Sequence, residues 1–164
     1  MDLMQLCGVV KNKYDDCTAM ERPQEILVDV IGLGAGVVDR LAEQNLPVRG
    51  VNVAEAPATK KNYLNLRAEL WFKVKDWLAQ RDCRLPNDDE LVSELAAPSY
   101  KYTSTGKIKI ESKEEMKKRG IKSPDKADAL ALTMASSAAS FGGGESFMGY
   151  NFRKPVKSRI IRVG

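Results

Sequence analysis

Glu25-Ile26-Leu27-Val28-Asp29-Val30-Ile31-Gly32-Leu33-Gly34-Ala35-Gly36 decides how this chain is read. From Ile26 to Ile31 the run is apolar and largely β-branched, broken only by the carboxylate of Asp29. Such a run predicts a strand covered on both faces, as in parallel or mixed sheets with helices packed on them. An acid is costly to desolvate, so Asp29 is expected near the strand's carboxyl end, where it reaches water, a cation or a ligand. The glycines that follow are expected to turn the backbone sharply beneath whatever Asp29 faces. The plainer alternative is an acid on a half-exposed edge strand.

Working outward, Val37, Val38, Leu41 and Ala42 mark a short helix closed by Asn45 and Pro47, and Val48 to Val53 reads as a second strand. Strand, helix and strand in this order fit a right-handed parallel crossover. Upstream, Asp2 can cap a first helix whose Leu3, Leu6, Cys7, Val10 and Tyr14 recur at helical spacing, and Pro23 ends its connection to the Asp29 strand. Downstream, Ala54 to Lys61 is a loop, and Asn62 to Arg81 is the longest helix candidate, burying Leu66, Leu70, Val74, Trp77 and Leu78. Trp71 and Phe72 read as core anchors on that face, with base stacking as the alternative. A short helix is expected over Asp88 to Ala96 and a hairpin over Tyr100 to Ile110 around Ser104-Thr105-Gly106. Ser112 with Glu115 forms a capping box for a basic helix ending near Gly120. Ser123 as N-cap and Pro124 as first helical residue open the last helix, whose small residues Ala127 and Ala131, with Leu130 and Met134, suit close packing on a sheet. Residues 141–164 form a basic tail after Gly142-Gly143-Gly144, expected to be poorly ordered, while 1–140 are expected to form the domain.

Composition narrows the chemistry. At 164 residues the chain is long enough for one domain with a sizeable core. No apolar run approaches the ~20 residues of a membrane span, and no secretory signal opens the chain. Three widely spaced cysteines suggest reduced thiols in a cytosolic compartment. Histidine is absent, which leaves carboxylates and lysines to carry any catalysis and favours hard cations held by oxygen. The formal charge of +4 is a mild basic bias compatible with nucleic acid.

Asp125 and Asp128 are three apart on the last helix and share a face. They are either acids favoured by the helix's positive end or, with Asp29, holders of a cation. Magnesium takes one or two carboxylates plus water and phosphate, and two-metal hydrolysis places ions ~4 Å apart to activate water and neutralise the leaving oxygen. Asp29, Asp125 and Asp128 are the acids placed for that work. Glu69 and Asp76 read as solvated, Glu115 as a cap, and Asp15, Asp16, Asp88 and Asp89 as loop or cap residues. Lys60, Lys61, Lys107 and Lys109 are candidates for a sequence-independent backbone track.

Ile26-Leu27-Val28-Asp29 with Gly32-Leu33-Gly34-Ala35-Gly36-Val37-Val38-Asp39-Arg40-Leu41, then Asn65-Leu66-Arg67-Ala68-Glu69-Leu70-Trp71, then Ser123-Pro124-Asp125-Lys126-Ala127-Asp128-Ala129-Leu130, resembles the C-terminal nuclease domain of phage and prophage large terminase subunits, the DNA-packaging motors. The resemblance runs from about Asp2 to Ala135. It implies an α/β fold with a ribonuclease H-like mixed sheet flanked by helices. It also implies a metal-dependent endonuclease cutting double-stranded viral DNA with Mg2+ or Mn2+, partnered by the small terminase subunit and portal in the host cytoplasm. Asp29 matches the family's second-strand acid and Asp125 that of its closing helix, with Asp128 beside it. The family's first-strand acid, on a hairpin before the helix that begins here at Asp2, has no counterpart, and no GxxxxGK[ST] phosphate loop occurs. The expectation is therefore an incomplete domain lacking the first hairpin strands, a fragment or a degraded prophage reading frame. Its activity would be weak or absent unless another chain supplies the missing pieces. The rival is a catalytically inactive remnant that binds DNA or a packaging partner. A dinucleotide-binding reading of Gly32-x-Gly34-x-Gly36 fails on spacing, since GxGxxG counted from Gly32 needs its last glycine at 37, where Val37 stands.

Overall fold

Asp2 accepts a hydrogen bond from the Gln5 N–H while the Gln5 side chain accepts from the Asp2 N–H, and this reciprocal cap starts helix α1 (Leu3–Asp15). The structure, a computed structural model, describes residues 1–81 and 83–136. Within these, the chain forms two compact units, the first from residues 1–52 with Ser136 and the second from Val53 to Ala135.

In the first unit, α1 is followed by β1 (Ile26–Asp29), α2 (Gly34–Glu43) and β2 (Val48–Val51), with β1 and β2 parallel and Asp29 opposite Val51. The expected crossover is thus present. Cys7 and Val10 of α1 meet Val37 and Leu41 of α2 and Leu46 in a buried core, and Ile26, Val28 and Val48 pack against it. The strand's two-residue period turns Leu27 and Asp29 to the opposite face. Ile26, Leu27 and Val28 are only half-buried, so β1 is less enclosed than its apolar run suggests. Both strands are also shorter than their apolar runs; beyond β1 the ladder continues by one bond, from the Val30 N–H to the Val51 carbonyl. Asn45, at a positive φ of 58°, closes α2. Glu25 accepts from both Arg49 and Ser136, and the Arg49 bond holds its carboxyl below the ordinary range.

In the second unit, α3 (Leu66–Ala79) is capped by Asn65, whose side chain accepts from the Ala68 N–H at 3.0 Å. The expected helical start at Asn62 is displaced because residues 62–64 bond to strand instead. The Leu64 N–H reaches the Ile108 carbonyl at 2.9 Å, and the Ile108 N–H reaches Asn62 at 2.8 Å. The hairpin is present as β3 (Tyr100–Tyr102) and β4 (Ile108–Ile110), antiparallel. Phe72 of α3 meets Tyr100 edge-on at 5.3 Å and Tyr63 at 5.6 Å, which seats the hairpin on the helix. Trp71 is buried, as a core anchor should be. Helices α4 (Asp89–Ala96), α5 (Lys113–Lys118) and α6 (Asp125–Thr133) complete the unit.

Within its own unit α6 packs on α3 and α4, so its small residues serve close helix–helix contact there, and its N-terminus differs from expectation. Its N-cap is Pro124, which has no side chain to offer, and Glu94 of α4 accepts from the N–H groups of Lys126 and Ala127 at 2.7 and 3.0 Å. Ser123 donates to Asp125 instead of capping.

Among the described residues the strands form two separate two-stranded sheets, one parallel and one antiparallel, an α/β arrangement rich in helix. All three cysteines are free thiols. No described helix is long and apolar enough to cross a membrane. The basic tail at 141–164 lies outside the described residues.

The Ser112–Glu115 capping box is formed as expected. The Ser112 N–H and then Lys101 hold the Glu115 carboxyl at about 2, down from 4.5. A carboxyl lowered by folding adds stability above its unfolded value, and that stability is lost as the pH falls from about 4.5 toward 2. Thermal melts of Glu115→Gln across this range should show a shallower acid limb than the parent protein and a lower melting temperature at neutral pH.

Candidate functional site

Asp29 stands at the carboxyl end of β1, exposed to solvent, as expected for an acid that terminates an apolar strand. Its Oδ1 accepts from the Ile31 N–H at 3.1 Å, which orients the carboxylate across the turn and leaves Oδ2 open. The turn is made at Gly32, whose φ of +75° suits glycine. Gly34 and Gly36 do not turn; they form the first turn of α2. Gly34 is required for a different reason. A Cβ there would lie 1.7 Å from the Asp29 carbonyl oxygen, so only a glycine lets α2 begin against the end of β1.

Asp125 and Asp128 belong to the second unit and share a face of α6, yet their surroundings differ. The Asp125 side chain is 68% exposed; its Oδ1 accepts from Ser123 Oγ at 2.6 Å and lies 3.4 Å from Lys113 Nζ. The Asp128 side chain is 20% exposed. Its Oδ1 takes three donors, Arg67 Nε at 3.2 Å, Arg67 Nη2 at 3.0 Å and Trp71 Nε1 at 2.9 Å. Arg67 spends its remaining arm on the Glu111 carbonyl at 2.8 Å. Asp128 Oδ2 is buried and accepts no hydrogen bond; the Lys113 ammonium faces it at 3.3 Å as an ion-pair partner only. Lys113 therefore faces both acids, and the Arg67 guanidinium supplies the second positive charge.

These donor sets bear on cation binding. Asp29 and Asp125 each offer an accessible carboxylate oxygen of the kind a hard divalent ion takes. Asp128 offers Oδ2 alone, and only where Lys113 gives way. Among the described residues, neither unit by itself gathers three carboxylates or thiols around one point.

The candidate lysines are also placed in the second unit. Lys60 and Lys61 are exposed in the turn before α3. Lys107 and Lys109 are on the hairpin, Lys109 Nζ lying 3.7 Å from Glu115. Glu69 is not solvated as expected. It is 2% exposed, paired with Lys73 one turn along α3 at 3.0 Å and accepting at 3.3 Å from the Thr59 N–H of the preceding loop, a cover that helical periodicity does not report. Arg67, Lys113 and Glu94 escaped sequence reasoning. The four-residue spacing of Arg67 and Trp71, which puts a guanidinium and an indole on one helical face, was the available signal.

No protein-family model matches the sequence, and no curated protein matches it. Solved structures do match. A lysine-to-alanine mutant of the nuclease domain of the large terminase subunit gp2 of bacterial virus Sf6, with manganese and β-thujaplicinol, superposes with a TM-score of 0.59 at 23% identity, over 69% of this chain and 65% of that one. The unmutated Sf6 nuclease domain gives 0.58 at 23%, over 69% and 65%. A calcium-bound form of the mutant gives 0.58 at 24% over the same shares. The chain thus shares the fold of a terminase nuclease domain and spans about two thirds of that domain's length.

Two substitutions probe the local geometry. Gly34→Ala should destabilise the first unit by about 1–3 kcal/mol, the usual cost of overpacking, and displace Asp29, read by urea denaturation and by the amide shifts of residues 29–34. Arg67→Ala should cost about 3 kcal/mol in the same assay, because it strands a largely buried carboxylate. Lys113→Ala, at a half-exposed side chain, should cost far less.

Proposed function

We propose that this chain is a metal-dependent endonuclease domain that cuts double-stranded viral DNA during genome packaging, on a ribonuclease H-like fold. The observation that carries this reading is the open carboxylate of Asp29 at the end of β1, in a chain whose fold matches a terminase nuclease domain solved with manganese and with calcium. Asp29 and Asp125 are the residues to hold Mg2+ or Mn2+, with Asp128 Oδ2 as a further oxygen. Bound divalent ions would supply activation of the attacking water and neutralisation of the departing oxygen.

The protein's own groups define what else happens there. The Ile31 N–H fixes the rotamer of Asp29, and Ser123 Oγ fixes that of Asp125. Arg67 and Trp71 hold Asp128 in place through its Oδ1. Lys113 faces both acids of α6, and its ammonium would be free to meet a phosphate where bound divalent ions took over that charge. By the same reading the small terminase subunit and the portal are the packaging partners.

One observation favours the rival, a non-enzymatic DNA- or partner-binding remnant: the acids of α6 already carry an ammonium and a guanidinium, a complete structural ion-pair set. A plasmid-nicking assay separates the two. With Mn2+ or Mg2+ the protein should relax supercoiled DNA, and Asp29→Asn or Asp125→Asn should each lower the rate by about 100-fold or more, the several kcal/mol a metal-held carboxylate supplies. Equal nicking by parent and both variants, or none with either metal, rejects the enzyme.

A further inference from the structure

An open depression of about 450 Å³ lies between α5 and the connection to α6, lined by Lys113, Glu114, Lys117, Ile121, Lys122 and Ser123. Its lining carries three lysines and one glutamate; Lys113 is paired with Asp125 and Asp128, and Lys122 with Glu90. The chain turns at Gly120, whose φ is +75°, and Lys117, Ile121 and Lys122 on either side of it all line the depression. Lys117 is exposed and makes no ion pair among the described residues. Lys122 is 80% exposed and reaches only Glu90, at 3.2 Å. At one end Ser123 contacts Asp125 and Lys113 lies beside it, so the hollow opens directly onto the accessible acid of α6.

Exposed lysines around a shallow hollow, one without an ion pair among the described residues and one held only by a half-exposed glutamate, suit a phosphate, which a compact ammonium binds as a point charge and without reading a base. We propose that this depression seats a backbone phosphate of duplex DNA adjacent to the one presented to Asp125, with Lys117 and Lys122 as its ligands. The proposal rests on the nuclease reading, and it moves the backbone track from Lys60, Lys61, Lys107 and Lys109 to the α5–α6 connection. Binding there is sequence-independent and weakens with salt, because each neutralised phosphate releases counterions.

The test is anisotropy of a short labelled duplex across a salt series, with Ca2+ present. It compares the parent, Lys117→Ala/Lys122→Ala, the charge-matched Lys11→Ala/Lys75→Ala, and Lys117→Arg/Lys122→Arg. The alanine pair in the depression should lose about tenfold in affinity and lower the salt slope by about 1–2, the arginine pair should retain both, and the control pair should change little. Equal losses in the two alanine pairs, or none in the depression pair, overturn the depression while leaving the nuclease reading intact. A parent protein that binds no duplex at all overturns both. Inorganic phosphate that displaces the duplex from the parent no better than chloride of the same ionic strength supports a site built for a backbone; strong displacement by millimolar phosphate would identify a free-anion site and overturn the assignment to DNA.

Discussion

A carboxylate removed from water has to be paired, and the pairing of Asp128 organises the second unit. Arg67 and Trp71 stand one helical turn apart on α3 and close on the same oxygen from two directions. Sliding α6 along α3 by a single residue would break three hydrogen bonds at once and leave a charge without a partner, which is far costlier than the loss of apolar contact at that spot. The helices therefore have one register. Because Asp125 lies three residues earlier on the same face, its position is inherited from that register and needs no anchor of its own.

The N-terminus of α6 solves a related difficulty. Helices leave their first N–H groups without partners, and a proline at the cap position has no side-chain oxygen to give them. Glu94 reaches over from α4 and takes two of those groups, while Lys126, in the same turn, pairs with Asp88 and Glu90 at the start of α4. The two helix starts thereby hold each other. The consequence for chemistry is that Ser123, released from capping, is available to orient Asp125.

What the sequence made legible was local. The Ser112–Glu115 box, the Asp2 cap, the crossover from Ile26 to Val51 and the placing of Asp29 at a strand end all follow from spacings of a few residues, and the structure contains each. Fold-level likeness was legible too, through three separated motifs taken together. What stayed hidden was long-range or conditional. Arg67 and Asp128 are 61 residues apart, and nothing in either neighbourhood announces the other. The start of α3 depended on whether residues 62–64 would join the hairpin, a competition that helical propensity cannot see. Glu69 looked solvated because the Thr59 N–H that it accepts comes from a loop.

Asp125 and Asp128 show why composition and spacing alone cannot assign chemistry to an acid. Both are aspartates in the first turn of one helix, equally favoured by its positive end. Asp128 is fixed by a guanidinium and an indole that could leave only by dismantling the helix pair. Asp125 faces solvent, and its neighbours are a hydroxyl and a lysine on a flexible stem, both able to exchange for another ligand. A residue that is to bind and release a cation repeatedly must have such replaceable partners. On that ground the proposed metal site would divide the work within the second unit, Asp128 setting position and Asp125 keeping the exchangeable partners, with Lys113 touching both.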